Sequence, residues 1–78
     1  MSKADKMLDD LNFKIDINKK DLCFTKTNCY GDVDISIFFD LKRKQYYVEN
    51  EWGYGEAVDY GLHLAITEKL KELGWLND

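Results

Sequence analysis

A chain of 78 residues has room for one hydrophobic core and not for a second, so residues 1–78 are read as a single domain. With 45% hydrophobic and 33% charged residues and no low-complexity run, the composition excludes a disordered chain. A formal charge of −4 argues against duplex nucleic acid as the main partner, because phosphate binding needs a concentrated basic face.

The charge is unevenly spread. Residues 49–78 hold seven acidic side chains against Lys69 and Lys71, whereas the middle of the chain holds Lys14, Lys19, Lys20, Lys26, Lys42, Arg43 and Lys44 against five aspartates. No apolar run approaches the roughly 18 residues of a membrane span. The opening MSKADKMLDD has no apolar signal-peptide core, so a cytoplasmic protein without membrane partners is expected. Cys23 and Cys29 are expected as free thiols, with Cys23 in the apolar run LCF acting as a small buried hydrophobe.

Ser2 stands three residues before Asp5, the spacing of an N-terminal cap, and Ala4, Met7, Leu8 and Leu11 form one stripe. The pattern predicts a short helix over about residues 3–11, closed by Asn12 in the left-handed conformation. From Phe13 the period changes to two. Phe13, Ile15 and Ile17 alternate with polar residues, and a turn at Asn18–Asp21 leads into Leu22–Thr25, giving a first hairpin. Lys26 ends the apolar alternation, and Thr27–Gly31 is a turn with Asn28 and Gly31 as its special-conformation residues. Val33, Ile35, Ile37 and Phe39 mark a central strand, Leu41–Lys44 a turn, and Gln45–Asn50 a fourth strand.

The stretch Glu56–Trp75 is the most strongly patterned in the chain. Val58, Leu62, Ala65, Ile66, Leu70 and Leu73 share one helical stripe, with Glu68, Lys69, Lys71 and Glu72 read as lying mainly away from it. Gly74 is expected to close this helix and Trp75 to fold back over Leu70. The order α-β-β-β-β-α predicts an α+β two-layer sandwich, with a long C-terminal helix over an antiparallel sheet of about four strands. The core face would comprise Phe13, Ile15, Ile17, Leu22, Phe24, Val33, Ile35, Ile37, Phe39, Tyr46 and Val48. The opposite face would show Lys14, Asp16, Cys23, Thr25, Asp34, Ser36, Glu49 and a small apolar island of Phe38 and Tyr47, that island or an exposed sheet edge being the candidate homodimer face.

The segment Glu49–Glu56 carries most functional information, because Trp52 and Tyr54 stand among glycines and carboxylates where a plainer turn would suffice. Two readings are open. The aromatics plug the end of a small core, or they are contact residues, as Trp and Tyr in loops favour. Asp59 and His63, four apart, share a helix face with carboxylates nearby, but a single histidine is a weak metal signal and no metal is assigned. Asp32, Asp34 and Asp40 read as a solvated strand face without calcium-loop spacing. With no glycine-rich phosphate cradle, no Cys-x-x-Cys and no triad order, neither catalytic residues nor a cofactor are expected.

The opening Lys3-Ala4-Asp5-Lys6-Met7-Leu8 with Asn12-Phe13, the middle DLKRKQYYVEN and the ending KELGWL resemble small proteins from phages and prophages of Gram-positive bacteria, with the Yopt-like prophage group as the nearest family. That resemblance implies a short α/β chain, often homodimeric, with no assigned activity and no functional residues to carry over. The function expected is a non-enzymatic interaction protein that meets a protein partner, a host protein by the resemblance, through Glu49, Glu51, Trp52, Tyr54, Glu56, Asp59 and Tyr60. The alternatives are an acidic nucleic-acid mimic that inhibits a host defence system, or a nucleic-acid accessory protein using Lys19, Lys20, Lys42, Arg43 and Lys44.

Overall fold

The computed structural model describes residues 2–76. Its elements are α1 (Lys3–Asp10), β1 (Lys14–Ile15), β2 (Leu22–Thr27), β3 (Val33–Asp40), β4 (Gln45–Asn50) and α2 (Tyr60–Glu72), an α+β chain in the expected order. The residues fall into two compact units, one built from 2–12 and 58–76, the other from Phe13–Ala57.

The first unit is an antiparallel helix pair. Ser2 caps α1, its hydroxyl accepting from the Asp5 backbone N–H at 3.1 Å. Asp59 caps α2 in the same way, accepting from the Leu62 N–H at 2.8 Å. That cap sets the start of α2 at Tyr60, two residues after the expected apolar stripe begins, and leaves Val58 exposed rather than on the stripe. Both helices end on a left-handed residue, Asn12 at φ 70° and Gly74 at φ 77°. The Trp75 N–H bonds the Leu70 carbonyl and the Gly74 N–H the Lys71 carbonyl, the paired closure expected when a left-handed residue follows the last helical turn. Asn12 makes the corresponding bond to Asp9.

Ala4, Leu8, Leu62, Ala65 and Ile66 are buried in this pair, and with them Lys69, which is 5% exposed. Lys69 is therefore a correction to the polar face expected of α2. Its Nζ donates to Asp5 Oδ1 at 2.8 Å and to Glu72 Oε2. Burial alone would pull its pKa down, but the hydrogen bonds to Asp5 and Glu72 outweigh it and hold the pKa above the usual lysine value. Asp5 and Glu72 are held below their ordinary values, in each case first by the Lys69 hydrogen bond.

The second unit is a four-stranded antiparallel meander in the order β1-β2-β3-β4. Phe24 pairs with Ile37 and Ile37 with Val48, so these three occupy one face, where Phe13 and Phe39 are also buried. Phe24 and Phe39 meet edge to face, with centroids 6.1 Å apart, a favoured aromatic geometry. The expected core is too wide at its ends. β1 is only two residues long: the Asp16 N–H still bonds the Cys23 carbonyl, but its carboxylate turns to accept the Asn18 N–H, and Ile15 and Ile17 are 56% and 85% exposed. Val33 and Tyr46, at the first positions of their strands or next to them, are exposed too. β2, by contrast, runs on past Thr25, with Lys26 paired to Ile35.

On the other face Cys23 pairs with Phe38, and Phe38 with Tyr47. Cys23 is fully buried, as expected of a small hydrophobe in an apolar run, although it lies on the face opposite Ile37. Burial raises the pKa of its thiol, and the negative charges of Asp16 and then Glu49 add to the effect. Cys29 is exposed, and both cysteines are free.

Candidate aromatic docking site at one end of the sheet

The meander places connections at two ends of the sheet. At one end lie the turns Asn18–Asp21 and Leu41–Lys44, carrying Lys19, Lys20, Lys42, Arg43 and Lys44. Asp40, the last residue of β3, also organises the second turn by accepting the N–H groups of Lys42 and Arg43. At the other end β2 finishes, β3 begins and β4 finishes. Segments 28–34 and 49–57, at that end, contain Asp32, Asp34, Glu49, Glu51 and Glu56 and no lysine, arginine or histidine.

Two loops at the acidic end are built alike. In the first, Asn28 Oδ1 accepts the N–H groups of Tyr30 at 2.9 Å and Asp32 at 3.1 Å. The Gly31 N–H bonds the Asn28 carbonyl at 3.1 Å, and the Asn28 N–H bonds the Asp32 carbonyl. In the second, Asn50 Oδ1 accepts from Trp52 and Tyr54, both at 3.0 Å. The Gly53 N–H bonds the Asn50 carbonyl at 3.1 Å, and the Asn50 N–H bonds the Tyr54 carbonyl. Each is a three-residue hairpin loop, a turn followed by a left-handed residue. Gly31 and Gly53 supply that residue at φ 86° and 80°, a region costly for any side chain with a Cβ.

The common pattern is Asn-x-aromatic-Gly, at residues 28–31 and 50–53. The aromatic in each follows from turn geometry: it stands at the loop apex, with its backbone N–H fixed by the asparagine and its ring outside. Tyr30 is 86% exposed and Trp52 is 74% exposed. The second loop also returns the chain alongside β4, with Gly55 bridged to Glu49 and the Glu56 N–H bonded to the Val48 carbonyl. Glu49–Glu56 is thus a hairpin of its own rather than a sharp strand-to-helix turn.

Trp52 and Tyr54 do not plug a core; Tyr54 is 70% exposed. Glu51, Trp52 and Glu56 line an open cleft of about 290 Å³ together with Asp34, Ile35 and Asn50. Glu49 is half-buried on β4, opposite Ser36. Asp59 and Tyr60 belong to the helix pair instead. The Asp59 carboxylate is used as the α2 cap, while Tyr60, the first residue of that helix, is exposed. The His63 backbone N–H bonds the Asp59 carbonyl, and among the described residues no group of three or more His, Cys, Asp or Glu side chains is placed to hold a metal ion. Phe38 and Tyr47 stack on each other with centroids 5.5 Å apart.

Tyr30 is absent from the site read off the sequence. The signal was there, in the repeat of Asn-x-aromatic-Gly at an interval of 22 residues, but a turn of mixed polar residues does not announce an aromatic apex until strand order puts both loops at one end.

No helix among the described residues is long and apolar enough to cross a membrane. Compared with known proteins, the chain matches no family model, no curated protein and no solved structure. The prophage resemblance accordingly rests on the residues quoted for it.

Proposed function

We propose that this chain is a small non-enzymatic interaction protein that docks a protein partner through the loop carrying Trp52 and Tyr54. The observation that carries this reading is the exposure of both rings on a loop braced by Asn50. Large aromatics held rigidly in solvent lose little entropy on binding and bury much area, which is why they dominate binding hot spots. Exposing them without a partner makes them an aggregation liability.

The test is affinity capture from a Gram-positive lysate with wild type and a Trp52→Ala, Tyr54→Ala double variant, with circular dichroism and melting on both. A protein retained by wild type alone, with the variant's melting unchanged, supports the reading. Equal retention by both proteins removes the loop from the interface. Self-association through the stacked Phe38 and Tyr47 belongs to the same proposal, and a monomer mass that holds up to millimolar concentration in sedimentation would remove it.

A second reading has an observation of its own: the sheet order gathers the two basic turns at one end, where a cleft of about 380 Å³ is lined by Lys19 and Lys20 together with Asp16, Asp21 and Leu41 among others. An anionic ligand such as a single-stranded nucleic acid fits that end. A gel shift at low salt tests it; no shift at micromolar protein ends it.

A further inference from the structure

We infer that the two Asn-x-aromatic-Gly loops act together as one two-pronged site for a lysine- or arginine-bearing segment of a protein partner, with Tyr30 and Trp52 as the prongs. This rests on reading the Trp52 loop as a docking surface and extends it to a second loop and a defined ligand chemistry.

Three observations carry it. First, the hydrogen-bond pattern of the two loops is the same in four bonds, and each leaves its aromatic more than 70% exposed at the apex. Second, both loops lie at the same end of one sheet, with β3 between β2 and β4. The first loop joins β2 to β3, and the second leaves the far side of β4, so their centres are two strand spacings apart, about 10 Å. An extended peptide covers that span in about three residues. Third, acidic side chains outnumber basic ones around the rings. Asp32 and Asp34 follow Tyr30, Glu51 and Glu56 flank Trp52 in the cleft, and neither loop segment has a cationic side chain, the nearest along β2 being Lys26 opposite Ile35.

An aromatic face attracts a cation through its quadrupole, and adjacent carboxylates add long-range attraction and hydrogen-bond acceptors for a guanidinium or ammonium. The same carboxylates repel an acidic or phosphorylated segment. An apolar partner would leave Asp34, Glu51 and Glu56 facing hydrocarbon, at a desolvation cost that carboxylates do not bear without partners. A basic segment satisfies rings and carboxylates together. The two prongs also favour a ligand with cations about three residues apart, which reaches both loops from one extended backbone.

The experiment is fluorescence anisotropy with dye-labelled octa-arginine, octa-lysine and octa-glutamate peptides in 50 mM salt. The proteins are full-length wild type, Tyr30→Ala, Trp52→Ala and, as a control away from this end, Lys42→Ser. Circular dichroism is run on each. The expected result is binding of both basic peptides and not of octa-glutamate, with Tyr30→Ala and Trp52→Ala each about threefold to tenfold weaker and Lys42→Ser unchanged or slightly tighter. Tyrosine and tryptophan are neutral, so a loss in those variants reports the rings and not bulk charge. No binding of either basic peptide overturns the inference. Loss in Trp52→Ala with Tyr30→Ala unaffected also overturns it, while leaving the single-loop docking surface standing. Concentration-dependent self-association that Lys42→Ser abolishes would make the occupant a second copy of the chain, and would likewise overturn it.

Discussion

Lys69 shows how a charged side chain is kept in an apolar stripe. Leu62, Ala65, Ile66 and Lys69 stand at intervals i, i+3, i+4 and i+7, so the helical period itself puts the lysine on the buried side. A sequence reading sets it aside because it is charged; the spacing was the better guide. What the spacing does not reveal is the partner, since Asp5 lies 64 residues away in the chain. The pH dependence has a definite sign. Asp5 and Glu72 are depressed below ordinary values of 3.8 and 4.5, so their contribution is present above those values and is lost as pH falls through the lower folded ones. Lys69 is raised above 10.5, so its contribution is present below that pH and is lost as pH rises through the folded value. The melting temperature should therefore be level between about pH 5.5 and 9.5 and fall on both sides. Lys69→Met should destabilise the chain at pH 7 by about 1–3 kcal/mol, because removing one partner of a buried ion pair leaves the Asp5 and Glu72 carboxylates uncompensated, a cost softened by their partial exposure. It should also flatten both flanks of the profile. A melting series from pH 2.5 to 11 on the two proteins checks this, and unchanged flanks would separate the triad from the pH response.

Among elements, those fixed by local chemistry were legible. The left-handed closures at Asn12 and Gly74, the fourth strand at Gln45–Asn50 and the cap at Ser2 are where residue type and spacing place them. Less legible was the second role of a single side chain. Asp59 reads as a partner for His63 and serves as a cap; Asp40 reads as a strand residue, which it is, and also braces the turn that follows. In both cases a short carboxylate beside unpaired backbone N–H groups satisfies them first. The start of α2 offers a second test. Gly61 has no left-handed requirement, and a Cβ built there would meet Asp59 and Leu11 atoms only at 3.6 and 3.8 Å, ordinary contact distances. Gly61→Ala should therefore stabilise the chain by about 0.5–1 kcal/mol, since alanine costs less backbone entropy in a helix than glycine does. Urea unfolding at constant m-value is the measurement; a loss of stability would mean that the helix start must move to admit the methyl.

At the scale of the whole chain, the change of apolar period from helical to alternating and back was enough to give the α+β class and the order of its elements. It was not enough to give the site. Basic and acidic turns alternate along the sequence, and only the meander sorts them, because each hairpin returns the chain to the end it left two strands before. The two compact units also have different relations to the chain: residues Phe13–Ala57 are continuous, whereas the helix pair is assembled from segments on either side of them. That division has a kinetic consequence. The sheet forms through loops of a few residues, while the Asp5–Lys69 contact closes a loop of 64, which costs about 2 kcal/mol more in chain entropy. The hairpins should be formed in the transition state and the helix pair added after it. Ile37 and Ile66 are both buried, one in β3 and one in α2, so they provide a matched pair of probes. In stopped-flow refolding, Ile37→Val should slow folding, whereas Ile66→Val should mainly speed unfolding. A chain that folds in this sequence passes through a moment when both aromatic loops are already in place and the helices are not. Its docking end would then be ready before the rest of the molecule has closed.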